Sequence, residues 1–190
     1  MPKILAFAGS AREGSFNVRL VRAGVEAVRS AGGDVTLVDF REFPMPLYNG
    51  DLEKEEGIPT HAKRFKELLK QHQALLIASP EYNSSISPLL KNAIDWASRA
   101  EPGEPGLAAY SGKVAAIIAA STGQLGGVRG LAALRSILGN IGVIVLPEQL
   151  IIPQADKAFA EDGSITEDRY RTSLAKIASR LVQVASRVQT

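Results

Sequence analysis

The sequence predicts an α/β domain built on a doubly wound, five-stranded parallel sheet with helices on both faces. Three observations carry that expectation. Five short apolar runs are almost continuously hydrophobic, as strands covered on both faces must be. Segments of helical period separate them, supplying the long crossovers that parallel strands need. Each run ends in turn residues, and for 190 residues one domain is the default.

The first run, KILAFA at 3–8, leads through GSAREGSFN into a helix whose apolar face carries Val18, Val21, Val25 and Val28. VTLVDF at 35–40 is followed by the mixed-charge stretch DLEKEEG at 51–57, which reads as a solvated loop. A helix with Ala62, Phe65, Leu68 and Leu69 on one side comes next. ALLIAS at 74–79 precedes a loop and a helix marked by Leu90, Ala93, Ile94 and Ala97, with Ser87 as N-cap and Pro88 at the first position. In that helix Trp96 reads as core or subunit interface, and Lys91 and Asp95 as an ordinary i, i+4 pair. EPGEPG at 101–106 reads as a flexible connector, and residues 101–112 leave a lid as an open option. KVAAIIAA at 113–120 is the fourth strand; Leu131, Leu134, Leu138 and Ile141 mark the next helix, and VIVLP at 143–147 is the last strand. The final helix repeats Leu174, Ile177, Ala178, Leu181, Val184, Ala185 and Val188 at three and four, behind a capping-box pattern from Ser164 to Glu167.

For five strands these crossovers give the flavodoxin-like order 2-1-3-4-5 in one domain spanning 1–190. Ligands of such sheets bind beyond the carboxyl ends of the strands, beside the switch point between strands 1 and 3. The loops after strands 1, 3 and 4 are therefore where chemistry is expected.

Composition narrows the function. The chain is 45% hydrophobic and 22% charged, with a net charge of +2 and charges interspersed, so it lacks the basic excess of a nucleic-acid binder. With no cysteine, disulfides, thiolate catalysis and the usual structural zinc sites are out, and a reducing cytoplasm is the expected setting. No apolar run approaches a membrane span, and KILAFAG is too short for a signal-peptide core. His61 and His72, eleven residues apart, read as surface residues without metal spacing.

In the first loop Gly9 and Gly14 match the outer glycines of a nucleotide-hydrolysing phosphate loop, but Ser15 stands where its lysine belongs and Phe16 where its magnesium-binding hydroxyl belongs. What remains is Ser10, Arg12, Ser15 and Asn17 at a helix N-terminus, a site for a phosphate monoester that is held and not cleaved. The bland alternative makes Ser15 a helix cap and Arg12 a solvated loop residue. The second loop, SPEYNSSISP at 79–88, can present backbone groups to the edge of a flat heterocycle, with Tyr82 offering its face or hydroxyl. Here the alternative is a surface tyrosine beside an unpaired Glu81. The third loop, STGQLGGVRG at 121–130, has glycines that permit close backbone approach. Together the loops outline a phosphate at one end and a planar ring at the other.

These residues resemble the NAD(P)H-dependent FMN reductases of flavodoxin-like fold, including bacterial quinone and chromate reductases. GSAREGSFN matches the GSxRxxSxN pattern of that family, and PEYNSSISPLLKNAIDWASR at 80–99 matches its PEYN…LKNAIDW block. STGQLGGVR and PLYNGDLEKEEGIP at 46–59 fit more loosely. The resemblance implies FMN held through its phosphate by Ser10, Arg12, Ser15, Phe16 and Asn17. Pro80, Glu81, Tyr82 and Asn83 would lie along the isoalloxazine, and Ser121, Thr122 and Gly123 would flank its other side. Backbone donors of Thr122 and Gly123 are expected near the pyrimidine edge of the ring. Ser84 and Ser85 depart from the glycine or aromatic residue many relatives have after PEYN. NADPH or NADH would be the reductant and a quinone, free flavin, azo compound or chromate the small-molecule acceptor, with Arg12 or Arg129 available to a 2′-phosphate. No protein side chain would react covalently and no metal is implied. A homodimer or homotetramer in the cytoplasm is expected. The alternative from another class is a flavodoxin-type electron carrier, although such carriers tend to be strongly acidic.

Overall fold

A computed structural model describes residues 1–188. Five parallel strands, β1 (Lys3–Ala8), β2 (Asp34–Val38), β3 (Ala74–Ala78), β6 (Val114–Ala120) and β7 (Ile144–Ile152), form one sheet in the order β2-β1-β3-β6-β7. This is the expected 2-1-3-4-5 arrangement. A two-stranded hairpin, β4 (Glu81–Tyr82) with β5 (Ser85–Ile86), stands after β3. The helices are α1 (Phe16–Ser30), α2 (Gly50–Glu56), α3 (Thr60–Gln71), α4 (Pro88–Ala97), α5 (Val128–Asn140), the single turn α6 (Ala155–Ala158) and α7 (Asp168–Val188).

Alternation along the strands divides the core in two. Ile4, Ala6 and Ala8 face α1 and α7 together with Val21, Val25, Leu174 and Leu181. Leu5 and Phe7 face the opposite layer with Phe65, Leu90, Leu131 and Leu138 of α3, α4 and α5. A smaller cluster of Ile58, Ala62 and Trp96 lies beneath the segment after β2, where Trp96 Nε1–H donates to Pro46 O at 2.8 Å.

Several boundaries differ from expectation. β2 stops at Val38, because the Asp39 carboxylate accepts from Arg41 N–H and starts a 3-10 turn at Phe40. DLEKEEG is not a loop but most of helix α2, capped by the Asn49 side chain accepting from Asp51 N–H. β7 runs past Pro147 to Ile152: as an edge strand it tolerates proline at a bulge between the pairs Ala115↔Val145 and Ile117↔Gln149. Arg135 donates to the freed Leu146 carbonyl at 2.7 Å. The capping box at Ser164–Glu167 does not form, since Ile165 is buried and bridges to Phe159, and α7 begins at Asp168.

The connector at 101–106 is neither free nor near the loops of interest. α4 starts beside Gly9 and runs away from that end, and Glu101 and Glu104 are tied to α3 by Lys63, Lys66 and Lys70. Lys66 is fully buried among them. A lid from this segment is ruled out by its position. His72 is likewise not a surface residue: it is buried, with Nε2 2.9 Å from Thr36 Oγ1 and Nδ1 2.6 Å from Leu68 O. Among the described residues no helix is long and apolar enough to cross a membrane.

Candidate functional site

The ends of β1, β3 and β6 bring the three loops together at one edge of the sheet. Ser10 is buried at the end of the first, while Arg12, Glu13 and Gly14 are exposed. Ser15 occupies the N-cap position of α1 and is 4% exposed, yet its side chain makes no capping hydrogen bond. The bland reading of Ser15 as a cap therefore fails. The first-turn N–H groups of Phe16, Asn17 and Val18 have no intrahelical partner, as in any α-helix, and carry the positive end of its dipole. Gly14 sits at φ +68°, with nothing within 4 Å of a Cβ built there, so the turn is open where an anion would approach. The Arg12 backbone N–H donates to Ser10 Oγ at 3.3 Å, and its guanidinium donates only a long bond to Glu13 O, also at 3.3 Å, leaving that group available. A hydroxyl without a partner, three amide donors and a guanidinium are the donor set a phosphate monoester requires.

The second loop is the β4–β5 hairpin. Its two-residue turn, Asn83 and Ser84, has φ +51° and +65°, the left-handed pair of a type I′ turn. Pro80 is buried, whereas Tyr82 is 49% exposed and presents a free aromatic face. Glu81 is not an unpaired surface charge. Its carboxylate accepts Gly130 N–H at 3.0 Å and Arg129 Nε–H at 2.7 Å, and these donors hold its pKa below the ordinary value even though burial alone would raise it. Arg129 is thereby engaged and less available to a 2′-phosphate than Arg12.

In the third loop Ser121 is half-buried and Thr122 and Gly123 are exposed. Gly123 N–H donates to Ser121 Oγ at 3.2 Å, so this donor, expected to point at a ring, is occupied locally. Phe16 offers only its backbone, since its ring stacks on Phe159 at 5.8 Å.

Three polar side chains join the loops to one another. Ser87, capping α4 through Leu90 N–H, also donates its hydroxyl to Gly9 O at 2.5 Å, linking the second loop to the first. Asn17, buried in α1, donates Nδ2–H to Ala120 O at 2.9 Å and accepts Ala120 N–H at 3.0 Å, linking the first to the third. Glu81 links the second to the third. The Asn17 side chain is thus a joint between two loops, and its backbone N–H remains available. Ser87 and Gly130 carry parts of this frame that the sequence reading left out; the Ser-Pro start of α4 was visible, its bond to Gly9 was not.

A cavity of about 1000 Å³ extends from Ser10–Ser15 along the outer face of α1 to Gly163–Ile165. It shares the first loop, whereas Pro80–Asn83 and Ser121–Gly123 do not line it.

Residues 2–157 match the model of the NADPH-dependent FMN reductase family. The chain belongs to that family. It is 39% identical to an NAD(P)H-dependent FMN reductase of Pseudomonas aeruginosa over 89% of this chain and 87% of that one. It is 34% identical to a probable NADPH:quinone oxidoreductase of Oryza sativa over 98% of this chain and 90% of the other. Among solved structures it resembles the flavoenzyme NAD(P)H:(acceptor) oxidoreductase FerB of Paracoccus denitrificans, with 27% identity, a TM-score of 0.80 and 98% of both chains covered. An FMN reductase of this family is a flavin-dependent oxidoreductase that takes electrons from NAD(P)H, and the enzyme reading prevails over the electron carrier. The fit to FMN is chemical: the turn offers donors for a phosphate, and Tyr82 and Thr122, on the neighbouring loops, are both exposed.

Proposed function

We propose that this chain passes electrons from NADPH or NADH through bound FMN to quinones or related small acceptors. Ser10, Arg12, Ser15 and the backbone N–H groups of Phe16 and Asn17 hold the phosphate. Pro80, Glu81, Tyr82 and Asn83 line one side of the ring, and Ser121, Thr122 and Gly123 the other. The observation that carries this reading is Ser15: a hydroxyl at a helix N-cap, not used for capping, beside an open glycine turn.

FMN, when bound, supplies a ring that accepts hydride from a reduced nicotinamide and then gives electrons to an oxidant at the same face. The chain supplies position. Ser15 and the α1 dipole fix one end of the cofactor, and the Ser87, Asn17 and Glu81 joints keep the loops from spreading when it is absent. Tyr82, half-exposed, is a platform on which either planar partner can rest. The named quinone oxidoreductase relative supports a quinone as acceptor. The same reading includes a homodimer or homotetramer working in the cytoplasm. The test is direct: apoprotein should bind FMN far more tightly than riboflavin, the yellow complex should bleach with NADPH or NADH, and a benzoquinone should restore its colour. Equal affinity for riboflavin, or no bleaching, overturns the proposal.

A further inference from the structure

Of the three joints around the cleft, the one between Glu81 and Arg129 carries charge on both sides. The Glu81 side chain is 8% exposed and the Arg129 side chain 55%. Arg129 meets Oε1 through Nε at 2.7 Å and Nη2 at 2.5 Å, and Gly130 N–H meets Oε2 at 3.0 Å, in the first turn of α5. The hairpin backbone also rests directly on that turn: a Cβ at Gly130 would lie 3.1 Å from Glu81 Cβ and 3.2 Å from Ser85 O. A full negative charge thus faces a guanidinium and a helix end worth about +0.5 charge. The sum is about +0.5; losing the Glu81 charge raises it to about +1.5, and losing the Arg129 charge reverses it to about −0.5.

Resting on the flavin reading above, we propose that Glu81 and Arg129 are positioning residues that hold the hairpin wall against α5 and set the net charge beside the ring, and with it the ease of reducing the bound flavin. Reduction makes the ring more electron-rich, so positive charge nearby favours the reduced form and negative charge opposes it. Glu81→Gln keeps the side chain's size and an oxygen for Gly130 N–H but leaves Arg129 and the helix end unbalanced. Arg129→Met, at an exposed position, leaves the carboxylate in place without its counter-charge. Gly130→Ala changes no charge and only pushes the hairpin outward.

The experiment measures two quantities on each protein: FMN affinity, by fluorescence titration of the apoprotein, and midpoint potential of the FMN complex, by equilibration with a reference dye. Expected are a more positive potential in Glu81→Gln, a more negative one in Arg129→Met, and a value close to wild type in the double variant. Gly130→Ala should weaken FMN binding several-fold with little change in potential. Shifts of one sign in both single variants, or Gly130→Ala matching Glu81→Gln in potential, overturn the proposal while leaving the flavin reading intact. A wild-type protein that takes up no FMN overturns both.

Discussion

Asn17 and Ala120, 103 residues apart in the chain, exchange two hydrogen bonds through one side-chain amide. Asn17 lies in the first turn of α1 and Ala120 is the last residue of β6, so the turn that opens α1 and the loop beginning at Ser121 share a single joint. Asn17→Leu, of similar size, strands a buried N–H and a buried carbonyl. The expected cost is about 2–4 kcal/mol in urea unfolding, from two unpaired backbone groups. FMN affinity should fall at least ~10-fold as the loops lose their common reference, equivalent to about 1.4 kcal/mol. Lost affinity with unchanged stability would mean that the side chain meets the cofactor itself.

Ser84 adopts φ +65°, a conformation that L side chains rarely hold and that the hairpin turn requires. The strain is local, because Ser84 is exposed and no core contact depends on it. Ser84→Gly should therefore stabilise the protein by about 0.5–1 kcal/mol, the relief of left-handed strain exceeding the added freedom of the unfolded chain. A thermal melt checks this. A lower Tm would show that the serine side chain supports the turn more than the conformation costs it.

What the sequence made legible follows from where burial dominates. β1, β3 and β6 are covered on both faces, so their apolar runs announce them almost residue by residue. The edge strand β7 misled at Pro147, because the strand bulges there and Arg135 satisfies the Leu146 carbonyl that the bulge takes out of the ladder. DLEKEEG looked solvated and is, but the cap that makes it helical is Asn49, just outside the charged stretch. The placement of Ser10, Arg12, Ser15, Tyr82 and Thr122 on loops at the carboxyl ends of the strands was readable from the order of the elements. Their pairings were not: no local pattern says that Asn17 meets Ala120, or that the Glu81 carboxylate reaches the start of α5. Periodicity reports which face of an element is buried, whereas polar joints depend on how the elements cross.

Glu104 joins the buried ammonium of Lys66 and also meets Lys70 at 2.8 Å, and these hydrogen bonds pull its pKa from 4.5 down to about 2. A carboxylate lowered by folding adds stability that is complete above its unfolded pKa and disappears as pH falls toward the folded one. Stability should thus decline between pH 4.5 and about 2. Glu104→Gln should flatten part of that decline. It should also cost about 2–3 kcal/mol at neutral pH, below the usual penalty for an orphaned buried charge because Glu101 remains 3.4 Å from Lys66. Urea midpoints from pH 7 to pH 3 for both proteins measure the two effects together. Parallel curves would place the acid sensitivity elsewhere.

Ser15→Asp separates holding a phosphate from holding the fold. Aspartate is among the best N-cap residues, and its charge is favourable at a helix N-terminus, so α1 should lose nothing and gain up to about 1 kcal/mol. The cap that serine leaves unmade, aspartate can make to the N–H of Val18. For a phosphate the same substitution is hostile: it places a negative charge where the dianion must sit and occupies a donor it needs. FMN affinity should drop by two orders of magnitude or more, about 2.7 kcal/mol, while riboflavin, which carries no phosphate, should bind as weakly to the variant as to wild type. Fluorescence titration with both flavins, alongside a thermal melt, tests this. If FMN binding survived in a protein whose melt had risen, the phosphate would have to lie away from the N-terminus of α1, and the assignment of Ser10, Arg12 and Ser15 would fall with it.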